Sequence, residues 1–122
     1  MSNARECAGG DTLIFACSGA ADVGAVSDRA ARQMTRDGIG RMFCLAGVGG
    51  RVDGIVQKTK AASRIVAIDG CSLDCAKKCL EQVGISRFQH LRVTDLGMEK
   101  GQTPVSDENI AATARAASAL LA

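Results

Sequence analysis

Tryptophan and tyrosine are absent from this 122-residue chain, and phenylalanine occurs three times. The aromatic platforms on which single-stranded nucleic acids stack are therefore missing. Histidine occurs once, so general-base options are few, and no Ser, His and acid combination suggests a hydrolase triad. Charge of one sign is also lacking: the net charge is +2, the pI is near 8.3, and no stripe of Lys and Arg forms. Nucleic acid is thereby excluded as an expected partner. No stretch of about 18 apolar residues runs uninterrupted, and positions 1 to 11 have no apolar signal-peptide core. A soluble cytoplasmic protein without membrane attachment is expected, and a homodimer is compatible with the sequence. Internal repeats, linkers and low-complexity segments are absent too, which leaves a single domain over residues 1–122.

What the chain does have is six cysteines. Three disulfides would need an oxidising compartment, for which the sequence offers no sign. In a reducing cytosol these thiols are metal ligands, reactive groups or small buried side chains, and position decides among them.

Short apolar runs alternate with longer segments of helical period, the pattern of successive βα units and a parallel sheet. Strands are expected over Thr12 to Cys17, Arg41 to Ala46, Arg64 to Asp69 and Phe88 to Val93. The first three are almost continuously apolar, as strands covered on both faces are. The expectation is a three-layer α/β fold, Rossmann-like or flavodoxin-like, with a four-stranded, mainly parallel sheet in the order 2-1-3-4 and 3-2-1-4 as the alternative.

Helices are expected over Val23 to Asp37, with Val23, Val26, Ala30 and Met34 on one face, and over Gly50 to Ala62, with Val52, Ile55, Val56 and Thr59 inward. A third runs from Leu73 to Val83 with Ser72 as its N-cap, and a fourth from Asp107 to Leu121 capped by Ser106. Gly38 and Gly84 read as stops.

Cys17 and Cys44 fall at or near the ends of the first two strands, Cys71 follows the third, and Cys75 lies one helical turn later. In open parallel sheets the carboxyl ends of the strands are where ligands bind. Neighbouring strands are about 4.8 Å apart, and a tetrahedral zinc with ligands at about 2.3 Å holds its sulfurs roughly 3.8 Å from one another. Thiols from adjacent strands therefore suit one ion, and the start of the third helix is expected to lower the thiol pKa of Cys75. Any single cysteine reads equally well as a small buried residue; four at one edge favour a metal site.

Cys79, a further turn along, is expected to pack in the core, and Cys7 to be an incidental thiol. His90 reads as a packing or surface residue. Asp69 is expected to cap a turn or to orient the thiols, and Ser18 and Asp22 to shape a turn and cap the first helix. Gly47-Val48-Gly49-Gly50-Arg51-Val52 is a partial dinucleotide fingerprint whose third glycine is replaced, so nucleotide binding is not expected.

Asp69-Gly70-Cys71-Ser72-Leu73-Asp74-Cys75-Ala76-Lys77-Lys78 resembles the motif that names the DGC domain family, described as zinc-binding. Cys17-Ser18-Gly19 with Val23-Gly24, Cys44-Leu45-Ala46-Gly47 and His90-Leu91-Arg92-Val93-Thr94-Asp95-Leu96-Gly97 are similar to the family pattern in the same order. The resemblance implies zinc held by Cys17, Cys44, Cys71 and Cys75, the four already singled out, and supplies no reaction. Four thiolates on Zn(II) carry a local charge of about −2, for which helix-start amides and Lys77 or Lys78 are the expected compensation. Two alternatives use the same residues: a thiol redox or sulfur-transfer enzyme with Cys75 as nucleophile and Cys71 or Cys79 as its resolving partner, and an iron-sulfur cluster on the four cysteines.

Overall fold

A computed structural model describes residues 11–122; Cys7 lies outside them. Four strands, β1 (Thr12–Ala16), β2 (Arg41–Met42), β3 (Arg64–Asp69) and β4 (Gln89–Arg92), form one sheet in the order β2-β1-β3-β4. Every pairing is parallel. This is the expected 2-1-3-4 order, the start of the flavodoxin-like winding, and it puts β1 between β2 and β3.

The alternation of side chains along β1 and β3 divides the core into two layers. Ile14, Ala16, Val66 and Ile68 face α1 (Asp22–Arg36) and α5 (Asp107–Leu121), where they meet Val23, Val26, Ala30, Met34, Ile110 and Ala117. Leu13, Phe15, Ile65 and Ala67 face the other way, onto Val48, Ala76 and Leu80. Those three belong to α2 (Leu45–Gly49), which carries Val48, and to α4 (Cys75–Gln82), which carries Ala76 and Leu80. Full burial of a Leu, Ile or Phe is worth about 1.5–3 kcal/mol, so the two central strands are rigid struts for whatever follows them.

The helix ends follow the expected chemistry at three places. Asn109 N donates to Ser106 Oγ at 3.2 Å at the start of α5. Gly38 and Gly84 take φ values of +77° and +87° just past α1 and α4, a backbone region that glycine occupies without penalty.

Three expectations are corrected. The second strand ends at Met42, because Cys44 turns to cap α2, accepting from Gly47 N at 3.3 Å. The segment expected as one helix from Gly50 to Ala62 is instead a turn containing Arg51 at φ 59° followed by the shorter α3 (Asp53–Lys60), with α2 ending just before it at Gly49. Val52 lies in that turn and is exposed rather than inward, while Val56 and Thr59 are buried as expected. The glycines of the partial fingerprint therefore lie within and just after a helix and form no phosphate-cradling loop before one. No helix among the described residues is long and apolar enough to cross a membrane.

A candidate thiol site at the carboxyl edge of the sheet

The residues that leave β1, β2 and β3 carry the thiols to one edge. Cys17 directly follows β1, and its N–H donates to Ile68 O at 2.9 Å, carrying the β1–β3 pairing one residue further. Ser27 on α1 donates its hydroxyl to the Cys17 carbonyl. Cys44 lies two residues beyond β2 and Cys71 two beyond β3, while Cys75 is the first residue of α4. Cys17 and Cys71 are half-buried, Cys44 and Cys75 exposed, and none of these thiols is in a disulfide.

Two glycines let the thiol-bearing loops come together. A Cβ on Gly24 would lie 2.8 Å from Gly19 O, and one on Gly70 would lie 2.9 Å from both Gly24 N and Val23 C. The Cys17–Gly19 turn, the start of α1 and the end of β3 thus touch backbone to backbone, an approach that a side chain would block. Cys17 and Cys71 take their places from that contact.

Cys75 is placed by Asp69. The carboxylate at the end of β3 accepts from Ala76 N at 2.7 Å and Lys77 N at 3.1 Å, capping α4 from outside the helix. Ser72, the expected cap, does not serve; the N-cap position is Asp74, in the left-handed region at φ 55°. Asp69 is 1% exposed, and His90 Nε2 lies 2.8 Å from its Oδ2. Arg92 grips Asp74 with two bonds, Nε to Oδ1 at 2.7 Å and Nη2 to Oδ2 at 2.6 Å. That fork holds the Asp74 carboxyl below the usual carboxylate range.

Asp69, Asp74, His90 and Arg92 are therefore a polar strut beneath the motif, which sequence reasoning missed in part. His90 is not merely packed or exposed, since it completes the surroundings of Asp69. The sequence signal was limited to the spacing of two that puts His90 and Arg92 on one side of β4; the register of Arg92 with Asp69 belongs to the folded sheet. Among the described residues, Asp69, Asp74 and His90 are also the only three His, Cys, Asp or Glu side chains whose donor atoms all lie within 4.8 Å of one another. Their carboxylates are already taken by helix amides and Arg92, which makes the group structural. The sulfurs share the edge more openly, with no three of them inside that separation among the described residues.

The electrostatics reverse one expectation. The Cys75 thiol is pushed up, first by partial desolvation and then by Cys17, Asp69, Cys71 and Cys79 around it. The helix start fails to lower it because the amides that would have done so already serve the Asp69 carboxylate. Positive charge beside the thiols includes one that sequence reasoning did not name: Lys100 Nζ donates to Cys71 Sγ at 3.6 Å. Asp22 sets the loop that carries Lys100, accepting from Gly101 N and Thr103 N at 2.9 Å each, and also from Val23 N at 2.7 Å. Asp22 thus does more than cap α1. Ser18 donates to Asp28, at 2.6 Å.

Cys79 is half-buried and packs against the α4-side core, as expected. It also lines a cleft that Cys44 shares.

Comparison with known proteins bears on this edge directly. The DGC domain matches residues 13–117, which takes in all four expected ligands. The chain is 35% identical over 88 residues to a protein named Anaerobic and virulence modulator AnvM from Pseudomonas aeruginosa, a match covering 72% of this chain and 67% of that one. No solved structure matches. With its sheet, all four edge thiols and the motif that joins Asp69 to Cys75 inside the matched region, the chain belongs to the DGC domain family.

Proposed function

We propose that this protein binds one Zn(II) through the thiolates of Cys17, Cys44, Cys71 and Cys75, in a metal-handling or structural role. The observation that carries the reading is positional: the segments leaving β1, β2 and β3 and the first residue of α4 each bring a free thiol to one edge of the sheet. Four soft donors fit Zn(II). Two exposed and two half-buried sulfurs leave the ion a way in. Membership of the DGC family supports metal binding in general. Lys100 beside Cys71 offsets part of the negative charge that four thiolates bring. A set of four thiolates leaves no open position for water, so the reading favours holding and passing on an ion over Lewis-acid chemistry. Thiols that must stay reduced fit a cytoplasmic setting.

The thiol-enzyme alternative asks for an activated Cys75, which the alkylation rate of the metal-free protein measures. An iron-sulfur cluster would use the same four residues and is separated from zinc by measurement.

The test is elemental analysis of protein purified without air, with thiols counted before and after a chelator. About one zinc per chain, with four thiols becoming reactive on its removal, is the expected result. Cys17→Ser, Cys44→Ser, Cys71→Ser and Cys75→Ser are each expected to weaken the bound ion. Iron with sulfide and visible colour would replace zinc by a cluster. Freely reactive thiols and no metal would put the thiol enzyme first.

A further inference from the structure

β2 is too short to cover the end of β1. It pairs with β1 only at Leu13 and Ile14, and Phe43 N, donating to Ile14 O at 2.9 Å, makes the last bond on that side. The backbone groups of successive strand residues point alternately to the two neighbouring strands. Cys17 N donates to Ile68 O on the β3 side, so Ala16 aims its N–H and C=O at the β2 side, where the strand has already ended. Among the described residues neither group has a hydrogen-bond partner there, although Ala16 is only 3% exposed. Buried backbone donors and acceptors are nearly always paired, so an open pair of this kind is a place for a ligand.

Ala16 lines a cleft of about 650 Å³. Phe43 and Leu45, both partly buried against the α4-side core, add apolar lining. Arg32 of α1 adds a cation. Its Nε donates to Asp28 Oδ2 at 2.8 Å, and Asp28 Oδ1 accepts from Ser18 Oγ at 2.6 Å. The guanidinium is thereby oriented, while among the described residues its two Nη groups make no hydrogen bond. An apolar lining with a few fixed polar groups is the usual make-up of a small-molecule site.

We propose that this cleft binds an acylamino carboxylate, the group found in an acylated amino acid and at the carboxyl end of a peptide. The carboxylate accepts from Arg32 and from Ala16 N–H, the ligand's own N–H donates to Ala16 C=O as the last residue of an added strand would, and its side chain rests on Phe43 and Leu45. Asp28 beside Arg32 favours the single charge of a carboxylate over a more highly charged phosphate. The Asp28 oxygens are taken by Ser18 and Arg32, so Ala16 C=O is matched by one amide N–H better than by an ammonium with its three donors. Binding needs no metal and no covalent step. It places the ligand beside Cys44, which lines the same cleft and is exposed.

The experiment uses the full chain without metal and a set of probes: N-acetylphenylalanine, its primary amide, which lacks the charge, and hydrocinnamate, which lacks the acylamino group. Binding is followed by the amide NMR shifts of Ala16 and Phe43 and by protection of Cys44 from alkylation. N-acetylphenylalanine is expected to move both amides and to slow the alkylation of Cys44. The primary amide is expected to bind at least about tenfold more weakly, and hydrocinnamate about fivefold more weakly. Arg32→Gln is expected to bind N-acetylphenylalanine no better than wild type binds the primary amide. Arg36→Gln removes an exposed arginine of the same helix that does not line the cleft, and is expected to bind as wild type does. A short peptide ending in phenylalanine separates the two sources: tighter binding than N-acetylphenylalanine assigns the cleft to a chain end, and weaker binding assigns it to a free acylated amino acid.

Hydrocinnamate or the primary amide binding as tightly as N-acetylphenylalanine refutes the proposal, and so does unchanged affinity in Arg32→Gln. An Ala16 amide that N-acetylphenylalanine leaves unmoved at millimolar concentration refutes it as well. If the Arg32 variant does not fold, the probe series on wild type decides alone. Metal takes no part in these measurements, so their failure leaves the zinc reading standing.

Discussion

Replacing Gly70 by alanine is the sharpest test of how the thiol edge is built, because local propensity and tertiary packing give opposite signs. Gly70 does not need the left-handed backbone region, so by propensity alone alanine there stabilises by about 0.4–1 kcal/mol through the unfolded chain. The folded structure opposes it. The new Cβ would lie 2.9 Å from Gly24 N and from Val23 C, and 3.1 Å from Val23 Cγ2. Two of those atoms are backbone at the start of α1, so no rotamer change relieves the contact. The strand end or the helix must move by about half an ångström to restore ordinary separation, and overpacking of that kind costs typically about 1–3 kcal/mol. The net expectation is a loss of about 1–2 kcal/mol, with Cys71 displaced along with its neighbour.

Urea denaturation of the metal-free protein measures this, with an unchanged slope showing that the denatured state is not altered. Gly54→Ala is the matched comparison. It lies within α3, where an added Cβ would meet nothing within 4 Å, and is expected to stabilise by about 0.5–1 kcal/mol. A Gly70→Ala protein as stable as wild type, or more so, would refute the account of how the two loops meet.

Two further perturbations probe the supports of the site. Asp69→Asn replaces an acceptor of two helix amides by a group that presents a donor on one side, and is expected to cost about 1–3 kcal/mol in chemical denaturation and to weaken metal binding through Cys75; unchanged stability would mean that α4 does not depend on this cap. Asp22→Asn tests acid stability. The Gly101 amide, then that of Thr103, holds the Asp22 carboxyl below its ordinary value of 3.8. Its stabilising contribution is therefore complete above that value and is lost as pH falls through the lower folded-state value. The variant should melt with a flatter dependence on pH in that acidic window, and an identical acid limb in both proteins would remove Asp22 from the account.

The parallel order of the sheet was legible in the sequence because β1 and β3 are buried on both faces and carry uninterrupted apolar runs. The ends of α1, α4 and α5 were legible because Gly38, Gly84 and Ser106 act through their own backbone or side chain within a turn. The edge position of Cys17, Cys71 and Cys75 followed from the same regularity. β2 was overextended to Ala46, since an edge strand is held by one neighbour and its apolar residues serve equally in a short helix.

Tertiary structure alone decided the rest. Asp69 became the cap of α4 in place of Ser72 because its carboxylate is delivered by the strand, seven residues before the amide of Ala76 that it accepts from. His90 became its partner, and Arg92 that of Asp74, because β4 pairs beside β3. Lys100 reached Cys71 across 29 positions because Asp22 fastens its loop. Sequence determines what acts over a few residues or repeats with the period of a helix or strand; carboxylate, imidazole and ammonium partners from separate segments are chosen by the fold that brings them within hydrogen-bonding distance.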